Sequence, residues 1–287
     1  MSKYRFEGAD VLVVDGKVLA GNEPALLANL PGVLRGEGIF ETFLASNGVP
    51  SPLLHLHDER LHGSAELMGM DLTGFGLQRH FTEVQPLLGE GTWRVRYTVL
   101  RALERKLLRM WTAGPVEPPA EEVQLLLSRF RTDPQHPLSG AKTTSRAHFQ
   151  VAHAEAVEQG CFDALMPTID GDMSECTASN FLIWKNDKLL TPGLDRGILG
   201  GVTRNMLLQG CRDHQIPVCE VKIGQKDLLE AEEVYVTNAI IGVIPVCKIV
   251  GVDTNYAGAC GNMLPKLRRA YSQACASVRS GDTQTPA

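Results

Sequence analysis

Several features that define common protein classes are missing from this sequence. Its seven cysteines are an odd number, lie scattered through the second half of the chain and form no C-x-x-C pair, so neither a disulfide framework nor a zinc site is expected. The longest uncharged apolar stretch, 234–247, is interrupted by polar residues and a proline and is too short to span a bilayer. Residues 1–7 lack the apolar segment of a secretory signal. We therefore expect a reduced, cytoplasmic protein.

An excess of positive charge is also missing. The 287 residues include 28 Lys and Arg against 33 Asp and Glu, which gives a formal net charge of −5. Nucleic acids and anionic membranes both attract a basic surface, so neither is expected as a partner. Apolar residues make up 44% of the chain, enough for a hydrophobic core, and the length suits one large domain or two smaller ones.

The short motifs of several enzyme classes are absent from the sequence. It contains no G-x-G-x-x-G, no Walker lysine loop, no H-E-x-x-H and no G-x-S-x-G. His55, His57 and His62 cluster beside Asp58 and Glu59, residue types that can bind a metal. Because such a match is weak evidence by itself, we interpret the cluster as the charged start of a helix and predict no metal site.

The first part of the chain mixes strand and helix patterns. Residues 11–14 and 17–19 flank Asp15-Gly16, a dipeptide that suits the positive φ angles of a hairpin turn. Apolar residues at spacings of four and three predict a helix over 56–68, ended by Gly69. Further strands are predicted at 39–44, 94–100 and 123–130.

Two proline-rich segments, 114–119 and 132–137, predict a domain boundary between residues 114 and 139. We assign residues 1–125 to a small N-terminal α/β domain and residues 126–287 to a larger C-terminal domain. The second domain again mixes both periods. Helices are predicted at 148–159, 203–214 (with Thr203 as the N-cap) and 263–278, and strands at 163–169, 180–190, 234–237 and 244–246. Because the order is not a strict strand–helix alternation, an α+β fold is favoured over a doubly wound sheet.

Four features between residues 140 and 246 point to a functional site. Lys142 follows a proline-rich loop, and Glu175 leads into an apolar strand. The Gly200-Gly201 turn opens a helix, where free N–H groups and the positive helix end can bind an anion. Thr237 and Asn238 form a polar pair inside an apolar run, where they need hydrogen-bond partners.

These features resemble those of the class IV pyridoxal-phosphate (PLP) enzymes. That family includes branched-chain aminotransferases, D-amino-acid aminotransferases and 4-amino-4-deoxychorismate lyases. Residues 36–42 are similar to its N-terminal signature, and residues 56–65 to its helix that bears an arginine. Its long C-terminal signature is matched in order at 175–180, 190–191, 197–198 and 200–204. The resemblance covers nearly the whole chain.

The resemblance implies pyridoxal 5'-phosphate as cofactor and the two-domain fold type IV, like that of D-amino-acid aminotransferase, with a barrel-like, cofactor-binding C-terminal domain. It also implies a homodimer. It assigns Lys142 as the lysine that holds the cofactor covalently and moves a proton, and Glu175 as the partner of the pyridine nitrogen. The remaining cofactor contacts that it implies are Arg60, Val202, Thr203, Asn238 and Ala239 to the phosphate and Arg146 to the ring.

Two segments resemble the lyases more than the aminotransferases. Residues 237–246 look most like the lyase version, and an arginine follows Lys142 by four positions, at Arg146. The resemblance implies a lyase that converts aminodeoxychorismate to 4-aminobenzoate and pyruvate in folate biosynthesis. The alternative is a branched-chain or D-amino-acid aminotransferase that uses a 2-oxo acid. The residues expected to bind the substrate are Phe40, Thr42 and Arg101.

Overall fold

The computed structural model describes residues 10–20 and 25–281, with side chains to residue 278. The chain divides into two compact units. The first comprises the described residues up to Pro118 together with Ala141–Arg146, and the second comprises Pro119–Gly140 and the residues from Ala147 onward. The predicted domain boundary after residue 125 stays a prediction.

The first unit contains a six-stranded antiparallel sheet with the order β2-β1-β6-β5-β3-β4. Asp15 and Gly16 have φ angles of 48° and 80°, which confirms the predicted hairpin turn between β1 and β2. The elements in chain order are β1 (Val11–Val14), β2 (Lys17–Leu19), α1 (Pro31–Leu34), β3 (Gly38–Ser46), β4 (Val49–Pro50), α2 (Leu54–Leu67), α3 (Leu77–His80), β5 (Thr92–Arg101) and β6 (Leu107–Pro115).

The two faces of this sheet differ in chemistry because side chains alternate along each strand. On β3 and β5 most odd-numbered residues, among them Phe43 and Tyr97, join the hydrophobic core with Leu61 of α2, and the buried Glu41 carboxylate lies on the same face. Each fully buried side chain of this kind contributes about 1.5–3 kcal/mol to stability. The even-numbered residues include Phe40 and Arg96 and face the other way. One face of the sheet thus forms the core, and the other carries polar and charged groups.

The second unit contains an eight-stranded mixed sheet with the order β12-β11-β10-β13-β14-β7-β8-β9. Three neighbouring pairs are parallel, namely β11 with β12, β14 with β7 and β7 with β8. The elements in chain order are β7 (Val123–Leu127), α4 (Ala147–Glu158), β8 (Asp163–Pro167), β9 (Met173–Cys176), β10 (Asn180–Lys185), β11 (Lys188–Thr191), α5 (Val202–Asp213), β12 (Val218–Glu220), α6 (Gln225–Glu230), β13 (Glu233–Asn238), β14 (Gly242–Val250) and α7 (Leu264–Gly281). Short 3-10 helices lie at Phe81–Glu83, Gln85–Leu87, Leu103–Arg105, Leu194–Arg196 and Gly258–Cys260.

The predicted α+β class is confirmed, but the set of strands predicted from the sequence was incomplete. Strand β6 was missed because no strand was predicted between the strand at 94–100 and the proline-rich segment at 114–119, whereas its register with β5 extends to Pro115. The short elements β9, β12 and α6 were also missed, since three to six residues carry too little periodicity. In residues 10–20 and 25–281, none of the helices has both the length and the apolar character needed to cross a membrane.

Candidate active site

Lys142 is held by its backbone against β3 and α2. Its carbonyl oxygen accepts the Phe40 amide N–H at 3.0 Å, and its own amide donates to the Ser64 hydroxyl at 3.0 Å. Thr143 forms an antiparallel bridge with Ile39. A lysine in a loop without such bonds would sample many positions. Here the hydrogen bonds fix the backbone of Lys142 and therefore the point from which its side chain extends.

Three cationic groups surround the buried Phe40 ring. The guanidinium carbon of Arg96 lies 3.6 Å from the ring centroid, the Lys142 amine nitrogen 4.8 Å and the guanidinium carbon of Arg146 5.9 Å. The sequence singled out Lys142, Arg146 and Phe40, and the structure brings these three together. Arg96 was not identified from the sequence. It lies far from these three residues along the chain and is brought near them by the pairing of β3 with β5.

The cations around Phe40 repel one another. Burial, together with the neighbouring Arg146 and Arg94 guanidiniums, lowers the pKa of Arg96 to about 10, although the Glu41 carboxylate opposes this shift. A concentration of like charge in a partly buried site is unfavourable unless an anion compensates it. An anionic ligand near Phe40 would interact favourably with these cations.

Arg60 forms a buried ion pair with Glu41. Its Nε and Nη2 atoms lie 2.8 and 2.7 Å from the two carboxylate oxygens, the bidentate geometry that fixes a guanidinium in orientation. His57 Nδ1 lies 2.8 Å from the same carboxylate. Burial alone raises the pKa of Glu41, but Arg60 and His57 outweigh it and hold that pKa well below its usual range. Burial lowers the pKa of His57, and the Glu41 carboxylate opposes this shift.

The other two predicted substrate residues lie at different places on the sheet. Thr42 is cross-strand to Arg96 and shares the polar face with Phe40. Arg101 ends β5 and has partners of its own: it donates to the carbonyl oxygens of Met68 and Gly69, both at 3.1 Å, and its Nε lies 2.9 Å from the Glu37 carboxylate. The structure thus groups Thr42, but not Arg101, with the polar face at Phe40.

In the second unit, Glu175 is connected to the glycine turn through Asn180. The Asn180 side-chain amide donates to the Glu175 carboxylate at 3.0 Å and to the Leu199 carbonyl oxygen at 2.9 Å. Asn180 was part of the matched signature, but no role was predicted for it. Asn180 begins β10 and lies five residues after Glu175, and this spacing is the sequence signal that could have identified it.

Helix α5 begins without a side-chain cap. Its N-cap is Gly201, so the prediction of Thr203 as the N-cap was wrong, and Thr203 lies inside the first turn. A Cβ atom at position 201 would clash with the Asn180 side-chain oxygen, so a larger residue there requires Asn180 to move. The first N–H groups of α5 therefore remain available to a ligand.

Two buried hydroxyls lie in the region around this helix end. Thr203 Oγ1 and Thr237 Oγ1 make no hydrogen bond of good geometry with any described residue, although the Thr203 side chain also interacts with the Tyr271 hydroxyl. Buried polar groups of folded proteins are normally paired. A phosphate at the start of α5 would satisfy the Thr203 hydroxyl together with the N–H groups of Val202 and Thr203, so the residues present fit this part of PLP.

Asn238 shapes the turn between β13 and β14. Its side-chain oxygen accepts the N–H groups of Ile240 and Ile241 at 2.9 and 3.0 Å, and its side-chain nitrogen donates to Ala178 and Ser179 at 3.2 Å. The Asn238 side chain is thus engaged in holding the turn that contains Ala239. Across the described part of the chain, no group of three His, Cys, Asp or Glu side chains could hold a metal ion.

Comparison with known proteins places these observations in a family. Residues 38–249 match the family model described as amino-transferase class IV. A "Probable branched-chain-amino-acid aminotransferase" of Thermotoga maritima is 34% identical over 128 residues, but the match spans only 44% of this chain and 46% of that relative. The "Aminodeoxychorismate lyase" of Bacillus subtilis is 27% identical over 92% of this chain and 94% of its own length.

A solved structure shows the fold. The branched-chain aminotransferase from Thermoproteus uzoniensis, with 22% identity, superimposes with a TM-score of 0.83 over 96% of this chain and 97% of its own. The predicted two-domain α+β fold of type IV is thereby confirmed. At this identity the likeness carries no information on the substrate.

Proposed function

This chain belongs to the class IV aminotransferase family, whose fold uses pyridoxal 5'-phosphate, and on that premise we propose that it is a 4-amino-4-deoxychorismate lyase. The observation that carries this proposal is the grouping of Lys142, Arg96 and Arg146 around the Phe40 ring. The lyase substrate has an amine and two carboxylates. Several cations beside the lysine suit such a dianion better than an amino acid with an apolar side chain.

We assign the cofactor-binding roles from the family resemblance and from the fit of the second unit to a phosphate. Lys142 holds the cofactor covalently, and Glu175, oriented by Asn180, pairs with the pyridine nitrogen. When bound, the cofactor withdraws electrons from the carbon next to the substrate nitrogen. The phosphate is bound by Arg60, Val202, Thr203, Asn238 and Ala239, and Arg146 contacts the ring.

The chemical step needs one base near the substrate amine. Lys142 removes the proton from the ring carbon that bears the amine. The electron pair of that C–H bond moves into the ring, the C–O bond to the enolpyruvyl group breaks, and the ring becomes aromatic. The proton is returned to the methylene carbon of enolpyruvate, which becomes pyruvate. No water and no second substrate are consumed.

The second candidate is an aminotransferase acting on branched-chain or D-amino acids. The 34% identity with the Thermotoga maritima relative over 128 residues favours it. Lys142 and Glu175 would serve that reaction equally well. The two reactions differ in their substrate requirement, because an aminotransferase turns over only with a 2-oxo acid as amino acceptor.

The test follows from that difference. The PLP-loaded protein is given aminodeoxychorismate with and without 2-oxoglutarate, and 4-aminobenzoate is measured. A lyase forms it at the same rate in both, and Lys142→Ala abolishes both the turnover and the visible band of the lysine-bound cofactor. An unchanged spectrum in Lys142→Ala would refute the assignment of the lysine. Amino transfer from an amino acid to 2-oxoglutarate, without 4-aminobenzoate formation, would favour the second candidate.

A further inference from the structure

We propose that Asp163 is a positioning residue for the cofactor, because its carboxylate holds the turn between Glu175 and Asn180. The inference rests on the proposed role of Glu175 as the partner of the pyridine nitrogen. It holds for either candidate reaction, since both would use the same cofactor. All of the residues involved belong to the second unit.

The turn connects β9 to β10 and is closed by its own backbone. The Cys176 N–H donates to the Ser179 carbonyl oxygen at 2.8 Å. Glu175 lies just before this turn, within β9, and Asn180 is the first residue of β10. Because the Asn180 side-chain amide donates to the Glu175 carboxylate, a movement of the turn would displace both side chains.

The Asp163 carboxylate accepts three hydrogen bonds from this turn. One oxygen accepts the Thr177 N–H at 3.0 Å and the Thr177 hydroxyl, and the other accepts the Ala178 N–H at 3.1 Å. The first oxygen also accepts the Ala164 N–H at 2.8 Å. Asp163 begins β8 and is only 1% exposed, so water does not substitute for these bonds. The carboxylate therefore fixes the turn to β8.

A carboxylate suits these four donors better than an amide does. Both carboxylate oxygens accept hydrogen bonds, whereas the amide of an asparagine has one oxygen that accepts and one nitrogen that donates. In Asp163→Asn the amide nitrogen would face the N–H of Thr177 or that of Ala178, depending on how the side chain is turned. The shape of the side chain is nearly unchanged, so this variant tests the acceptors rather than the packing.

The same turn is connected to Asn238, which is assigned to the phosphate. The Asn238 side-chain nitrogen donates to the Ala178 carbonyl oxygen and to the Ser179 hydroxyl, both at 3.2 Å. Ala178 is thus held by Asp163 through its N–H group and by Asn238 through its carbonyl oxygen. We therefore expect a change at Asp163 to affect the groups assigned to the pyridine nitrogen and to the phosphate.

The experiment measures the visible spectrum of the PLP-loaded protein and its affinity for PLP. Glu175→Gln removes the charge proposed to face the pyridine nitrogen, and its spectrum defines the direction of the expected change. In Asp163→Asn we expect the visible band to shift in that same direction. The dissociation constant of PLP, measured by fluorescence titration of the apoprotein, should rise about tenfold, the effect of one lost hydrogen bond to a charged group.

A double-mutant cycle shows whether Asp163 acts through Glu175. In the Glu175→Gln background, Asp163→Asn should cause no further shift of the visible band, because the carboxylate that it positions is already gone. An independent effect would add to that of Glu175→Gln instead. If Asp163→Asn does not fold, Thr177→Val carries the same comparison, since it removes one donor of the turn and leaves Asp163 its bonds to backbone N–H groups.

The matched control is Glu233→Gln. Glu233 is also a buried carboxylate, and it accepts the Met263 N–H at 3.0 Å and the Tyr235 hydroxyl. It begins β13, whereas Asn238 ends that strand, which separates the two by about 16 Å. Glu233→Gln should lower the free energy of unfolding and leave the visible band and the PLP affinity at their wild-type values.

The outcomes separate the role of Asp163 from that of Glu175. A shift in Asp163→Asn that disappears in the Glu175→Gln background, and that Glu233→Gln does not show, supports the inference. A wild-type band in Asp163→Asn overturns it and leaves Glu175 in its role, and so does a shift that persists in the Glu175→Gln background. An unchanged band in Glu175→Gln overturns both roles, while the lyase proposal keeps its own test with aminodeoxychorismate.

Discussion

The Ser64 hydroxyl accepts a hydrogen bond from the Lys142 backbone N–H at 3.0 Å and donates one to the Arg60 carbonyl oxygen at 2.9 Å. Ser64 is buried, so water does not substitute for it. One side chain of α2 thereby connects the lysine proposed to carry the cofactor with the helix turn of the arginine proposed to bind its phosphate.

Replacing Ser64 with alanine should weaken that connection. Ser64→Ala leaves the Lys142 N–H without its partner, which costs about 1–3 kcal/mol, and we also expect slower formation of the visible cofactor band. Urea unfolding and a PLP-loading time course measure the two effects. Ser277 is the matched control, because its hydroxyl donates to the carbonyl four residues earlier at 3.0 Å on an exposed helix face. Equal behaviour of Ser64→Ala and Ser277→Ala would contradict the role of Ser64.

The Glu41 carboxylate makes stability depend on acid pH. Its pKa is held below the ordinary value of 4.5, so the stabilisation is complete above that value and is lost as the pH falls further toward the folded-state pKa. Glu41→Gln should destabilise the protein at pH 7 by about 3 kcal/mol, because Arg60 loses a buried partner, and should flatten the acid limb of the stability curve.

Chemical unfolding between pH 3 and pH 7 measures this effect. Glu230→Gln provides the control: Glu230 is paired with Lys185 at the surface, where solvent screens the interaction. It should leave the curve close to wild type. A Glu41→Gln protein with the wild-type slope below pH 4.5 would show that the ion pair does not govern acid stability.

A methyl group at position 201 should disturb cofactor binding. In Gly201→Ala the new Cβ would stand 1.9 Å from the Asn180 side-chain oxygen, so Asn180 must move and its bond to Glu175 is strained. We expect PLP affinity, measured by fluorescence titration of the apoprotein, to fall at least tenfold. Gly63→Ala, in α2 with nothing within 4 Å of the new atom, should be neutral or slightly stabilising. Unchanged affinity in Gly201→Ala would refute this account of the turn.

Removing the Thr203 hydroxyl should change PLP affinity but not the stability of the apoprotein. Thr203→Val removes a buried hydroxyl that lacks a well-formed bond, so the apoprotein should lose no stability, while PLP affinity should fall about tenfold through the lost phosphate contact. Thr132→Val is the reverse case, because its hydroxyl donates to Ser174 at 3.0 Å. It should destabilise the apoprotein and leave PLP affinity unchanged. A Thr203→Val protein that binds PLP normally would remove Thr203 from the phosphate site.

Local sequence signals predicted what depends on near neighbours. Asp15-Gly16 predicted a hairpin because positive φ angles are a property of the turn itself, and Gly69 marked the end of α2 for the same reason. The fold class followed from the order of such elements. Strand β6 was missed because it is recognised by its pairing with β5 and β1, which its own residues do not indicate.

The site residues predicted from the sequence are those in segments that resemble the family. Lys142 and Arg146 were found with Phe40 because all three lie in matched segments, and the structure brings them together. Arg96 was missed, since nothing in the sequence of β5 indicates which strand lies beside it. Arg101, five residues further along β5, was expected to bind the substrate, but strand alternation gives the two arginines different surroundings.

Product stoichiometry shows whether this protein is a lyase. The PLP-loaded protein is incubated with aminodeoxychorismate and no 2-oxo acid, and both 4-aminobenzoate and pyruvate are quantified over time. A lyase forms the two products in equal amounts, and neither product appears with Lys142→Ala. A protein that shows the visible band of the lysine-bound cofactor yet forms neither product would contradict the lyase proposal.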